Sequence, residues 1–288
     1  MDIRNNSLIY LREKYINDLS VIFSNKEARQ MLNVLIQHFF GISRTTLALN
    51  PNLRLSESEI LNLHFAVKGL KKHKPLQYIT GKSEFFGFEL LVNESVLIPR
   101  PETEELVQLI VSKEKQKNTQ LLDVGTGSGC IAIALEKLMP EPGVSAIDID
   151  EKTLKIATAN ASQNSSSVNF IQLDILDENS WKKLGIFDVI VSNPPYVTIS
   201  DKNKMQENVL NYEPHLALFV PENDELIFYR KICQFAKTHL AKKGRIYFEI
   251  NENKGFEINK LLKEEGFQLV EIHRDFRGKM RFATALKP

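Results

Sequence analysis

The sequence predicts an α/β fold, a mostly parallel seven-stranded sheet closing in a C-terminal antiparallel hairpin, preceded by a small helical bundle and a β-hairpin linker. Three observations lead there. Residues 5–40 contain no Gly or Pro and repeat apolar side chains at helical spacing. From residue 120 onward, short runs of branched residues alternate with helical stretches, the pattern of a parallel sheet. The last two strand candidates follow one another with no helix between them, which makes them an antiparallel pair.

In the N-terminal part, Leu8, Leu11, Tyr15 and Leu19, then Met31, Leu32, Leu35 and Phe39, mark two helices. Gly41 ends the second, Ser43 to Leu49 offers a short third, and Ser56-Glu57-Ser58-Glu59 caps a fourth that runs to about Lys72. Residues 1–75 therefore read as a helical bundle.

The character changes at Pro75. Gln77-Tyr78-Ile79-Thr80-Gly81, Glu84 to Val92 and Val96 to Pro99 combine aromatic and branched residues with Gly and Asn-Glu-Ser breaks, and residues 76–100 read as a β-hairpin linker. Pro101 opens a helix whose first turn carries Glu102, Glu104 and Glu105 against the positive helix end. Residues 101–288 are expected to form the catalytic domain. Its strands are expected at Gln120 to Val124, Val144 to Ile149, Asn169 to Leu173, Phe187 to Ser192, Arg245 to Ile250, Gln268 to Ile272 and Phe282 to Leu286. Helices are expected at 129–139, 151–163, 224–242 and 254–265. The stretch 200–221 is long and irregular, and reads equally as a lid or as a packed surface loop.

Composition narrows the function. With 288 residues, 43% apolar and 25% charged, the chain is an ordinary globular protein, which excludes disordered, collagen-like and coiled-coil classes. No apolar run approaches the ~20 residues of a membrane-spanning helix. The N-terminus, Met1-Asp2-Ile3-Arg4-Asn5-Asn6, lacks the apolar region of a secretory signal, so a cytoplasmic chain is expected. The two cysteines, Cys130 and Cys233, cannot build a disulfide scaffold or zinc knuckle, and the six dispersed histidines have no metal-ligand spacing. No metal is expected. The net charge of +1 argues against a chain devoted to gripping phosphate backbones. Residues 1–80 nonetheless hold 11 Lys and Arg against 6 Asp and Glu, so the remainder carries a net −4. The densest basic run, residues 68–74, reads as a solvated helix end, with contact to RNA or an acidic partner as the other reading.

The chemistry-bearing signal begins at Leu121. Gly125-Thr126-Gly127-Ser128-Gly129 stands directly after a strand and before a helix, where glycines let the backbone approach a ligand closely. The dinucleotide fingerprint GxGxxG is not met, because its last glycine position is Cys130. Asp148, 23 residues beyond Gly125 at the end of the next strand, can accept hydrogen bonds from both hydroxyls of a ribose. An NAD-like cofactor fits that acid too. The pair Asp148 and Asp150 without a phosphate fingerprint better suits a nucleoside bearing no phosphate, and S-adenosylmethionine is the expected cofactor. The register of the fold places Asp174 and Ile175 beside the adenine, the acid accepting from the exocyclic amine and Ile175 packing on the ring.

The fourth strand ends in Asn193-Pro194-Pro195-Tyr196. Two prolines stop the ladder and hold a stiff extended turn. There the Asn193 side-chain oxygen and the Pro194 carbonyl can accept both protons of a single NH₂ group. An amide or ring-conjugated NH₂ is a poor nucleophile because its lone pair is delocalised. Two fixed acceptors oppose that delocalisation and stabilise the positive charge that grows on nitrogen during methyl transfer. Tyr196 can pack over the planar group and fix its angle.

Asn193-Pro194-Pro195-Tyr196 after a GxGxG strand resembles the amino-methyltransferases that act on planar nitrogens in DNA, RNA and protein. Gln77-Tyr78-Ile79-Thr80-Gly81, Glu84-Phe85-Phe86-Gly87 and Ile98-Pro99-Arg100-Pro101-Glu102-Thr103-Glu104 are similar to signatures of the peptide-chain release factor glutamine N5-methyltransferases, the HemK or PrmC family. The resemblance covers nearly the whole chain. It implies a Rossmann-like class I S-adenosylmethionine-dependent fold; a monomer is expected. It also implies methylation of the glutamine amide in the Gly-Gly-Gln motif of class-1 release factors, with S-adenosylhomocysteine as product. By the same resemblance Gly125 to Gly129, Asp148, Ile175 and Asn193 contact the cofactor, and Asn193 to Tyr196 hold the glutamine. The alternatives are the glutamine methyltransferase of ribosomal protein L3, expected to carry a Pro-Arg-Ser-Pro type segment at Pro99 to Glu102, and a nucleic-acid amino-methyltransferase. A base-flipping enzyme needs electrostatic purchase on the backbone, which the acidic body does not offer, so no stable nucleic-acid partner is expected.

Overall fold

The computed structural model describes residues 5–288, the side chain of Lys204 excepted; residues 1–4, read above for targeting, lie outside the described residues. The chain divides into two units, Met1–Gly81 with Glu207–Tyr212, and Lys82–Gln206 with Glu213–Pro288.

The first unit holds α1 (Leu8–Leu19), α2 (Asn25–Phe40), α3 (Arg44–Leu49), α4 (Glu57–Leu70), α5 (Leu76–Thr80) and, from later in the chain, α9 (Glu207–Tyr212). Ser24 with Glu27, and Ser56 with Glu59, form reciprocal capping boxes at the starts of α2 and α4, each contributing about 1 kcal/mol. Gly41 ends α2 in the left-handed region at φ 68°. Leu8, Ile16, Leu32, Leu35 and Leu63 form its buried core. Within the basic run, Lys71 pairs with Asp18 at 2.8 Å, and His73 stands 3.3 Å from Glu207.

Residues 77–81, expected to be hairpin-like, form α5 instead. Pro75 supplies a fixed φ of −54° at the helix entry, and Gly81 terminates it at φ 70°. Tyr78 turns into the interior.

The second unit opens with the hairpin β1 (Lys82–Phe85) and β2 (Phe88–Leu91), joined by Phe86 and Gly87, both at positive φ, as a two-residue turn matching the strand twist requires. Val96 and Ile98 are buried but add no strand. There follow α6 (Pro101–Lys113), β3 (Gln120–Val124), α7 (Cys130–Leu138), β4 (Gly143–Asp148), α8 (Glu151–Gln163), β5 (Asn169–Gln172), β6 (Phe187–Ser192), β7 (Val197–Thr198), α10 (His215–Leu218), β8 (Phe219–Val220), α11 (Ile227–His239), β9 (Leu240–Glu249), α12 (Gly255–Glu264), β10 (Gln268–Arg274) and β11 (Met280–Leu286). The main sheet runs β10-β11-β9-β6-β3-β4-β5. Neighbours from β9 to β5 are parallel, while β11 lies antiparallel to both β9 and β10.

One face of the sheet buries Tyr229, Phe235, Leu262 and Phe248; the other buries Leu106, Ile110, Ile133 and Phe85. Strand order reverses between β3 and β6, so their carboxyl ends open the crevice where α/β sheets place ligands. Among the described residues no helix is long and apolar enough to cross a membrane.

Candidate active site

A cavity of about 390 Å³ opens at that crevice, with Gly125 to Ser128, Asp148, Asp174, Ile175 and Asn193 to Pro195 in its wall. The glycine turn takes its shape from three left-handed residues, Gly125 at φ 72°, Gly127 at 56° and Gly129 at 83°, a region that side chains with a Cβ disfavour. The amides of Gly125 and Thr126 both donate to the Ile147 carbonyl, at 2.9 and 3.0 Å, which fastens the turn to β4. Thr126 Oγ1 donates to Asp123 Oδ2 at 2.7 Å. Gly129 does not line the cavity. A Cβ there would stand 3.3 Å from that of Ala157, so its smallness lets α8 approach the turn.

Asp148 ends β4 with one carboxylate oxygen accepting from Gly127 N at 3.0 Å and the other from Asp150 N at 3.1 Å. Each oxygen keeps a second lone pair for a ligand hydroxyl. Burial raises its pKa despite those two donors. Asp150 instead caps α8, accepting from Lys152 N and from the Thr153 hydroxyl. Asp174 Oδ1 accepts from Leu176 N at 2.8 Å, and the Ile175 carbonyl accepts from the Trp181 indole at 3.0 Å. Beneath the turn, burial pushes Asp123 up to about 7.

β6 delivers the second half of the site. Ser192 Oγ donates to the Val124 carbonyl at 2.7 Å, locking the ends of β3 and β6 together. Asn193, Pro194 and Pro195 then reach the cavity wall. Tyr196 is not brought to that wall. It is partly buried against the core, and burial pushes its phenol above the usual range.

Four residues not singled out from the sequence complete the surroundings. Asn193 Nδ2 donates to Thr103 Oγ1 at 3.3 Å, and Thr103 Oγ1 donates to Glu249 Oε2 at 2.7 Å. Glu249 is buried at the end of β9, and desolvation pushes it up to about 7. Glu213, buried, accepts from Ile98 N at 3.2 Å and pairs with Arg100. The available signal was an acid closing the apolar run Ile246 to Ile250, and an acid beside Pro214 in an irregular stretch. Cys130 stands at the cavity with burial pushing its thiol up to about 12. Among the described residues no group of three or more His, Cys, Asp or Glu is placed to hold a metal.

The fold and this cavity define a Rossmann-like methyltransferase of the class I kind, and residues 102–215 match the family described as methyltransferase small domain. Residues 19–81 match the PrmC N-terminal domain. The chain belongs to the release factor glutamine methyltransferases. It is 43% identical over 274 residues to the release factor glutamine methyltransferase of Flavobacterium psychrophilum, covering 94% of this chain and 95% of that one. It is 39% identical over 276 residues to that of Bacteroides thetaiotaomicron, covering 96% and 97%. A crystal structure of a methyltransferase from Pyrococcus furiosus, 19% identical, shares the fold with a TM-score of 0.51 over 81% of this chain and 99% of that chain.

Proposed function

We propose that this protein transfers a methyl group from S-adenosylmethionine to the side-chain amide nitrogen of the glutamine in the Gly-Gly-Gln motif of class-1 release factors. The observation that carries this reading is the meeting of the Gly125 to Ser128 turn, Asp148 and the Asn193-Pro194 turn on one cavity, in a chain whose relatives bear that activity as their name.

The site's donors and acceptors fit the cofactor. The glycine turn is a cradle that side chains would fill, Asp148 offers free lone pairs to two ribose hydroxyls, and Asp174 and Ile175 offer an acid and an apolar surface for adenine. S-adenosylmethionine supplies, when bound, a methyl group on a positively charged sulfur. The chain's own part is to hold the acceptor nitrogen. Asn193 Oδ1 and the Pro194 carbonyl accept the two amide protons, keep the lone pair on nitrogen, and stabilise its developing charge. No general base is needed, since the surplus proton leaves to water after transfer. Tyr196 serves by packing rather than by proton transfer.

The helical unit is the module that positions the release factor. Neutralising the exposed Lys68 and Lys72 is expected to raise KM for the whole factor and to leave KM for a short Gly-Gly-Gln peptide unchanged.

The direct test is to incubate the protein with S-adenosylmethionine and a purified class-1 release factor and to locate the added mass by peptide mass spectrometry. A methyl on the Gly-Gly-Gln glutamine is expected. Its absence there, with transfer to ribosomal protein L3 or to nucleic acid, overturns the reading.

A further inference from the structure

A chain of three side chains leads inward from the cavity wall, which both Asn193 and Thr103 line: Asn193 Nδ2 to Thr103 Oγ1 at 3.3 Å, then Thr103 Oγ1 to Glu249 Oε2 at 2.7 Å. Thr103 sits in the first turn of α6, Glu249 at the last residue of β9. Both are buried. Thr103 itself reaches the cavity wall, whereas Glu249 does not, so any role of Glu249 passes through Thr103 and Asn193.

The direction of this chain follows from donor and acceptor counting. An ionised carboxylate has no proton to give, so the Thr103 hydroxyl must donate to it. A hydroxyl has one proton only. Having spent it, Thr103 can offer Asn193 nothing but lone pairs, and the end of the Asn193 amide that faces Thr103 must be its NH₂. The carbonyl oxygen is thereby turned the other way. A free asparagine amide has no such preference, since its two ends are nearly equal in size.

We propose that Glu249, acting through Thr103, sets the orientation of the Asn193 amide so that its oxygen faces the substrate nitrogen. Both are positioning residues. The inference rests on the proposed reaction, in which an acceptor rather than a donor must face the NH₂ of the substrate.

Reversal of the orientation is built into the same chain. A neutral Glu249 donates its own proton to Thr103 Oγ1, and the Thr103 hydroxyl is then free to donate to the amide oxygen. Asn193 would turn its NH₂ toward a substrate NH₂, two donors face to face. Burial holds Glu249 near 7, so the neutral form grows as pH falls below neutrality. The charged groups that face it are Arg100 and Glu102 from the start of α6 and Arg281 from β11. Tyr196 after β6 and Cys130 at the start of α7 also sense its charge, and Tyr229 of α11 donates to its backbone carbonyl at 3.0 Å.

The test compares Thr103→Val, which keeps the shape and removes the hydroxyl, with Thr103→Ser, which keeps the hydroxyl. Thr103→Val is expected to lower kcat by about tenfold or more, with S-adenosylhomocysteine affinity unchanged in calorimetry. Thr103→Ser is expected to restore kcat to within about threefold of the natural enzyme. The acid limb of the kcat profile that belongs to Glu249 should vanish in Thr103→Val. Independently of turnover, the side-chain NH₂ resonances of Asn193 in ¹⁵N-labelled protein should shift through the Glu249 ionisation and stay flat in Thr103→Val. A Thr103→Val enzyme with natural kcat, or a Thr103→Ser enzyme as impaired as Thr103→Val, overturns the proposal. Should Thr103→Val not fold, flat Asn193 resonances in the natural protein overturn it alone. If the natural protein methylates no release factor glutamine, the reaction assignment fails, while the resonance titration still decides how Asn193 is held.

Discussion

Asn160 grips the backbone of Leu91 with both ends of its amide, accepting from Leu91 N at 2.6 Å and donating to Leu91 O at 3.0 Å. It donates also to the Ser128 carbonyl at 2.9 Å. One fully buried side chain of α8 thus splices the edge of the hairpin to the glycine turn, joining segments 37 residues apart without a ladder.

Replacing Asn160 by Ala strands three backbone groups away from water. Destabilisation of about 3 kcal/mol is expected, read as a lower urea midpoint with unchanged slope. Cofactor affinity should fall too, because the Ser128 carbonyl loses its tether.

In the proposed reaction, Asn193→Ala removes an acceptor that matters most as charge develops on nitrogen. A loss of about 10² to 10³ in kcat is expected, with little change in S-adenosylmethionine affinity. Single-turnover kinetics with calorimetry on the same sample checks it, and natural turnover would sink the mechanism.

Asp148→Ala should do the reverse, weakening cofactor binding far more than it slows saturated turnover. Burial raises the pKa of Asp148 above the ordinary aspartate range, so its proton returns at a higher pH than usual. Affinity should therefore decline on acidification, beginning above the pH at which a free aspartate would titrate. A calorimetric affinity series against pH checks the sign.

Asp123 carries one buried oxygen with no partner and ionises near 7 in the folded chain, whereas an unfolded aspartate ionises near 3.9. Between those values the folded state holds more protons than the unfolded one, so this residue makes stability fall as pH rises. Asp123→Asn should flatten that part of the stability profile, measured by urea unfolding at several pH values.

Glu213 and Arg100 predict an asymmetric pair. Glu213→Ala leaves the Ile98 amide and the guanidinium short of an acceptor, while Arg100, about a third exposed, can be replaced by water. Glu213→Ala should cost about 2 to 3 kcal/mol and Arg100→Ala clearly less, by thermal unfolding.

Much of this was legible in the sequence where local chemistry decides. The bounds of β3 and β6 match the residues read from their branched runs, and both cap signals at Ser56 and Gly41 fall at helix ends. Reading failed where tertiary packing overrode composition. The aromatic run after Pro75 resembled a strand, but Pro75 and Gly81 bracket a single helical turn. The helix expected to run to residue 242 ends at His239, and the strand expected from Arg245 already begins at Leu240, passing Lys243 at φ 63°. Gly244 is needed there, since a Cβ would meet the Asp188 and Ala241 carbonyls at 2.8 and 2.9 Å. In the site, the contiguous motifs bring Gly125 to Ser128 and Asn193 to Pro195 to one cavity, while Gly129 and Tyr196 stand off its wall. The pairing of Thr103 with Glu249, 146 residues apart and joined only by the fold, has no local signal.

The Ser192 hydroxyl and the Val124 carbonyl have a further meaning. They clamp the roots of the glycine turn and the Asn193 turn to strands whose separation is the ~4.8 Å of any ladder. The spacing between the two turns is thus a property of the sheet. The ordering of the two holding turns is incurred once, when the chain folds, so the binding free energy of each turnover is spent on the reactants alone.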